Sequence, residues 1–238
     1  MVGTILNALA IIVGGVVGLV TKPLSHRAES YWKVILGVFT LFYGLRLTWV
    51  SLNGSIWQIL KQLLIVILAL GLGRWTGSLL NLQKLSNSLG QNARERISNS
   101  ATGKPAVSEG FNICATLFCA APIGIYGAVA DGLSEYWYPL AVKAVIDGLT
   151  AMGLARLFGW SVAMAALPVL AFQGTITLVC SEWLGPFLRQ HHLVDIINAT
   201  DGLLIFCVSL VVLQIKKVAL ADYFPSLVFA GLIGAWVR

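Results

Sequence analysis

The sequence predicts an all-α protein: a polytopic membrane helix bundle of about eight transmembrane helices, in a single integral membrane domain over residues 1–238. Three observations predict it. Residues 2–21, 111–130 and 157–181 run without a charged side chain, and roughly twenty apolar residues carry a helix across the hydrocarbon core of a bilayer. Hydrophobic residues make up 58% of the chain and charged residues only 11%, against about one quarter charged in a soluble domain, so a soluble globular protein is excluded. The residues behind the net charge of +6 sit in short connections between apolar runs. That placement orients a membrane protein and argues against nucleic acid as a partner; the expected surrounding is the lipid bilayer.

Charges and turn residues cut the chain into spans at 2–21, 34–52, 56–73, 111–130, 139–156, 160–181, 193–215 and 218–237. The first lacks a basic start, and its apolar run is longer than a signal-peptide core, so it is expected to span and not to be a leader. The second starts after Lys33, and the third ends before Arg74. The connection 74–110 carries Leu79, Leu82, Leu85 and Leu89 at helical spacing, then a polar run from Gln91 to Lys104. It reads as a cytoplasmic loop with a short helix on the membrane surface, followed by a flexible linker.

The fourth span contains Pro122, Gly124 and Gly127. Proline removes a backbone donor and clashes with the preceding turn, and glycine lowers the cost of unwinding, so this helix is expected to be broken. A kink packed through small residues is the plainer alternative. The fifth span holds Lys143 and Asp147, four apart on one helical face. In the sixth, Gly174, Leu178 and Val179 echo Gly15, Leu19 and Val20 of the first, and the spans that follow open with Gly37 and Gly202. Matching segments of opposite direction are the mark of inverted-repeat transporters. Tyr31, Trp32, Trp137, Tyr138, Trp160, Trp183 and Trp236 near span ends read as interfacial anchors.

Placing the N-terminus outside puts Lys22, Arg27, Lys33, Arg74, Lys84, Arg94, Arg96, Lys104, Arg156, Lys216 and Lys217 on the cytoplasmic side. The opposite loops then carry Asp131, Glu135, Glu182 and Asp195, with Arg189 as their base. Both termini are expected outside.

The tripeptide Asp-Gly-Leu occurs at Asp131, Asp147 and Asp201, and depth separates the three. Asp131 closes the fourth span at the surface, where Asp-Gly commonly makes a helix-ending turn. Asp147 lies eight residues beyond Pro139, roughly 12 Å along a helix of 1.5 Å rise, and Asp201 is similarly deep. A carboxylate at such depth costs several kcal/mol unless paired, protonated or hydrated. Asn7, Gln173, Asn198 and Thr200 offer uncharged ligands at comparable depth. Two deep carboxylates against one ammonium favour a small cation or a proton over an anion, while a purely structural Lys143–Asp147 pair is the competing reading. Cys114, Cys119, Cys180 and Cys207 form no CxxC pair and read as packing residues. His191 and His192 read as solvated loop residues. The chain has no HExxH, no GxSxG and no Ser/His pairing on one helical face, so no enzyme is expected, and nothing calls for a cofactor.

The run Leu117-Phe-Cys-Ala-Ala-Pro-Ile-Gly-Ile-Tyr-Gly-Ala-Val-Ala-Asp-Gly-Leu-Ser134, the run Lys143-Ala-Val-Ile-Asp-Gly-Leu-Thr150 and the opening Asn7-Ala-Leu-Ala-Ile-Ile-Val-Gly-Gly-Val-Val-Gly18 resemble the YqgA/YdfK-type bacterial membrane proteins, the DUF554 family. The resemblance covers essentially the whole chain. It implies a multi-pass protein of the prokaryotic inner membrane, loosely described as a sodium channel or pump, with no established activity. Its matched polar positions are Asn7, Asp131, Lys143 and Asp147, beside the structural Pro122, Gly124 and Gly127. Asp201 departs from the pattern, in which a small uncharged residue precedes the matching glycine, and so does Ala-Ala before Pro122.

The expected function is therefore transport or conduction of a monovalent cation, sodium or a proton, along the broken fourth and the fifth spans. Asp147 would bind the ion or shuttle a proton, Lys143 would tune its charge, and carbonyls near Pro122–Gly127 would complete the shell. Two alternatives stand beside it: a proton-coupled carrier of a small metabolite, and a non-transporting scaffold whose glycine faces recruit helices or further copies of the chain.

Overall fold

The computed structural model describes residues 1–21, 25–100 and 107–237; Lys22 and Lys104, used above for orientation, lie outside them. Helix α1 covers Val2–Val20. Helix α2, His26–Ser51, opens on Ser25, whose hydroxyl accepts the Ala28 N–H, and α3, Ile56–Leu79, opens on a reciprocal Ser55–Gln58 capping box. Helix α4 is Leu82–Ser100. Helices α5, Val107–Cys119, and α6, Pro122–Ser134, meet at a bend of 60°. Then come α7 (Tyr138–Phe158), α8 (Ser161–Met164), α9 (Ala166–Leu178), a π-turn (Val179–Leu184) and α10 (Gly185–Gln190). Helix α11, Val194–Val212, a 3-10 turn, Leu220–Tyr223, and α12, Pro225–Trp236, complete the chain.

Each expected span has a helical counterpart. Among the described residues, five helices are long and apolar enough to cross a membrane, namely α1, α2, α3, the run Ser161–Gln190 and α11, and the bent α5–α6 pair makes a sixth. Helix α7 is 21 residues long but carries Lys143, Asp147 and Arg156, and Leu220–Trp236 is shorter. The arrangement is compatible with eight spans.

Three local expectations give way. The polar run after Gln91 is helical as far as Ser100, because Ala93 and Ile97, one turn apart, dock α4 onto the cluster of Ile113, Phe158 and Val162. The sixth span continues to Gln190, because the chain passes through the π-turn Val179–Leu184 and Pro186 falls in the first turn of α10, where its missing N–H breaks no helical bond. Asp131-Gly132 does not end α6; the helix runs on to Ser134 and stops at Glu135, whose φ is 55°.

Glycines set the helix contacts. Gly14 and Gly18 of α1 lie against the Gly148 and Met152 carbonyls of α7, and the matching order of these contacts makes the two helices parallel. Helix α9 runs antiparallel to α1, with Asn7 beside Gln173 and Thr4 beside Thr177. Helix α11 runs antiparallel to α2, with Gly44 beside Phe206 and Gly37 beside Leu213, and α12 antiparallel to α3, with Gly77 beside Asp222 and Gly73 beside Ser226. Three consecutive helices thus each meet an oppositely directed partner from the second half, the relation that an inverted repeat requires. Helix α6 lies between two groups: Gly124 and Gly127 face Lys143 and Leu140 of α7, while Tyr126 and Ala130 pack with Leu204, Ile205 and Leu220.

The perimeter is apolar. Val34, Val38, Phe42 and Leu45 of α2 and Leu60, Leu64 and Ile67 of α3 are exposed, which suits lipid as the surrounding solvent. Two of the expected interfacial anchors, Trp137 and Tyr138, stack at 4.5 Å, and Tyr138 stacks on Tyr43 at 4.7 Å. Burial pushes the neighbouring Tyr136 phenol up to about 12, so it stays protonated while it donates to the Tyr43 carbonyl at 2.9 Å.

Candidate functional site

In an α-helix the Phe118 carbonyl would accept from the residue four positions on, and that residue is Pro122, which has no N–H. The chain bends there, with Ala121 extended at φ −70° and ψ 120°. The released carbonyl is taken by Lys143, whose Nζ donates to Phe118 O at 3.0 Å and also to Asp147 Oδ2. Both partners are buried, Lys143 at 0% exposure and Asp147 at 5%. The Asn7 amide lies close enough to act on the Asp147 carboxylate as well. A broken helix and an intramembrane ion pair, read separately from the sequence, form one structure.

Gly124 makes room for it. A Cβ there would fall 2.8 Å from Lys143 Cε and 3.0 Å from Gln173 Nε2, both far along flexible side chains that can shift. Gly124→Ala is therefore expected to fold with a loss of about 1–3 kcal/mol from overpacking, read from thermal unfolding in detergent; a melt identical to the parent would show that Gly124 does not abut the pair.

From the Met1 end a file of buried polar groups leads down to the pair. Asp131 Oδ2 holds the Met1 ammonium at 3.2 Å and accepts the Gly3 N–H at 3.2 Å. Below it Thr4 and Thr177 meet hydroxyl to hydroxyl at 3.2 Å, and Thr177 Oγ1 lies 3.3 Å from the Ala128 carbonyl. The next rung is Asn7 Nδ2 donating to Gln173 Oε1 at 3.1 Å. Thr4 and Asn7 follow each other at i,i+3 on α1, and Gln173 and Thr177 at i,i+4 on α9, so two antiparallel helices set their polar positions opposite one another. Asn7 Oδ1 and Gln173 Nε2 remain buried without a partner.

One hollow opens at the Met1 end of the file, and a second lies on another face of α7, with neither Lys143 nor Asp147 in its lining. At the Met1 end, a hollow of about 610 Å³ is lined by Met1, Asp131, Ser134, Glu135, Glu182 and Arg189. The second, a cleft of about 490 Å³ between α2, α7 and α11, is lined by Trp32, Lys33, Leu36, Ile146, Thr150 and Gly153. The cleft reaches Ile146, the residue before Asp147, and Thr150, one turn beyond it.

Asn7, Gly124, Lys143, Asp147 and Gln173 thus come together, and Pro122 acts on them through Phe118. Gly127 packs against Leu140, with a Cβ position 2.9 Å from Leu140 Cγ, and Asp131 stands at the far end of the file. Asn198 and Asp201 lie on α11, across α6 from the pair, with Asn198 donating to Ser134 Oγ. Thr200 donates to the Ile196 carbonyl of its own helix. Thr4, Thr177 and the Phe118 carbonyl escaped the sequence reading, although the spacing of Thr4 to Asn7 and of Gln173 to Thr177 carried the signal. Among the described residues, no group of three or more His, Cys, Asp or Glu side chains is placed to hold a metal ion.

Comparison with known proteins gives a consistent picture. A family model described as a protein of unknown function, DUF554, matches residues 2–235. The chain is similar to the uncharacterized membrane protein YdfK of Bacillus subtilis (strain 168), 27% identical over 98% of this chain and 95% of the relative. It is also similar to the uncharacterized protein YqgA of Escherichia coli (strain K12), 29% identical over 99% of this chain and 97% of the relative. No solved structure matches.

Proposed function

This chain belongs to the DUF554 family, and on that premise we propose that it is a transporter of a monovalent cation, sodium or a proton, in the inner membrane of a prokaryote. The observation that carries the reading is the buried polar file from Asp131 to the Lys143–Asp147 pair, with a hollow at its Met1 end. With both termini outside, the Met1-end hollow is the outer vestibule and the cleft beside Lys33 opens to the cytoplasm.

The pair is electrically neutral, since the Lys143 ammonium sits on the Asp147 carboxylate, and this avoids the cost of a bare ion at depth. An incoming cation would take Asp147 and the free Asn7 Oδ1, while Lys143 keeps its second acceptor, the Phe118 carbonyl. Lys143 acts as a built-in competitor, so the carboxylate is compensated at every stage. Each rung is a direct side-chain hydrogen bond, 3.2 Å at Thr4–Thr177 and 3.1 Å at Asn7–Gln173, so the file must part for any cargo, and a proton or a small cation requires less parting than an organic solute.

The test is sodium and proton flux into proteoliposomes, wild type against Asp147→Asn. The variant is expected to fall to the level of empty vesicles. Equal flux would remove Asp147 from the mechanism, and a wild type that moves neither ion would remove the reading.

A further inference from the structure

The second deep carboxylate has no partner like Lys143. Asp201 is fully buried on α11, and neither of its carboxylate oxygens has a hydrogen-bond partner. Asn198, three residues earlier on the same face, uses its Nδ2 on Ser134 and leaves Oδ1 buried and unpartnered. Helix α12 runs antiparallel along α11, with Gly231 against Ile197 and Gly234 against Ile196 and Leu193. That register brings Ser226 to the level of Asp201, fully buried, with a free Oγ that lies against Gly73 of α3.

Among the described residues, the surroundings supply no cation. Tyr126 of α6 and Cys180 of the π-turn are the titratable groups close enough to act on Asp201, and the Tyr126 hydroxyl is committed to the Leu220 carbonyl at 2.7 Å. Of the bases on the elements packed against α11, Arg46 of α2 lies over Tyr138, Lys61 of α3 donates to the Val237 carbonyl, Arg74 of α3 lies over Tyr223, and Arg189 of α10 points to the Leu133 carbonyl. Thr48 of α2 bonds the Gly44 and Ala199 carbonyls. Leu204, Ile205, Ala130 and Leu227 fill much of the remaining volume.

We infer that Asp201 is a proton-binding site: a neutral carboxylic acid that donates its O–H to Asn198 Oδ1 and gives up that proton during the working cycle. A lone ionised carboxylate in such a place costs several kcal/mol, and protonation removes that cost while giving Asn198 Oδ1 the donor it lacks. A hard metal cation requires about six oxygen ligands, more than Asp201, Asn198 and Ser226 provide, so the proton is the ligand. The site faces away from the Lys143–Asp147 pair, on the opposite side of α6. Its purpose rests on the transport reading above; its existence does not.

The experiment is infrared spectroscopy of the full chain in liposomes near neutral pH. A carboxylic-acid carbonyl stretch is expected that shifts in D2O, vanishes in Asp201→Asn and survives in Asp147→Asn. In Asn198→Leu the same band should move to the higher frequency of an acid without an acceptor, and this variant carries the test if Asp201→Asn does not fold. Wild-type and Asp201→Asn spectra that coincide, a band indifferent to Asn198→Leu, or a band that never exchanges in D2O under an imposed pH gradient would each overturn the inference. Vesicles without ion flux but with the expected band would sink the transport reading alone; flux without the band would sink this inference alone.

Discussion

Lys143→Met will destabilise the protein by about 3–5 kcal/mol, because removing one partner of a buried ion pair strands the other. Asp147 is 5% exposed, and among the described residues Lys143 is the base that acts on it. Phe118 O, orphaned by Pro122, loses its donor in the same step. The double variant Lys143→Met/Asp147→Leu removes both charges at similar volume and should recover most of that loss, since a buried pair replaced by apolar groups is often neutral or stabilising. Unfolding of the four proteins in detergent gives the coupling energy directly. A double variant no more stable than Lys143→Met would show that the two side chains are not an energetic unit. The same double variant separates two readings of the pair: a merely structural clasp predicts retained ion flux, and an ion site predicts none.

How much of this was open to sequence reading depends on the dimension involved. Depth along a helix follows from counting residues, so Asp147 and Asp201 could be placed far from either surface, and the i,i+4 spacing of Lys143 and Asp147 named the pair. Pro122 with Gly124 located the break. Azimuth is different, because the side of a helix that faces a given neighbour is set by its partners. Helix α6 presents Gly124 to Lys143 and Tyr126 to α11, and that division decides that Asp147 and Asp201 look away from each other. Nothing in the α6 segment itself encodes it; it follows from the helices that pack on either side, α7 on one and α11 on the other. The Phe118 carbonyl was missed for another reason. It is backbone, and only the absence of a donor at Pro122 singles it out. In α4, the charges of Arg94, Glu95 and Arg96 hid the apolar Ala93–Ile97 pair that holds the helix down.

The seam between α1 and α7 is where a single methyl group should do the most damage. A Cβ on Gly14 would lie 2.1 Å from the Gly148 carbonyl oxygen, and one on Gly18 2.3 Å from the Met152 carbonyl oxygen. These are backbone atoms of a packed helix and cannot turn aside as the tip of Lys143 can beside Gly124, so α1 itself must move. Small residues at such crossings let membrane helices approach closely, and their packing is a main source of association in lipid. Gly14→Ala is expected to lose about 3 kcal/mol or more, at or above the upper end of the usual overpacking range, while Gly71→Ala, with nothing within 4 Å of its Cβ, should melt like the parent. Helix α1 also carries Thr4 and Asn7, so lifting it from α7 pulls the rungs away from Gln173, Thr177 and the pair, and ion flux should fall with stability. If Gly14→Ala melted with Gly71→Ala, the crossing could not be as close as it is drawn. The same geometry bears on the scaffold alternative: the face of Gly14 and Gly18 is already filled by α7, so a recruited helix would have to displace the element that holds Lys143 and Asp147.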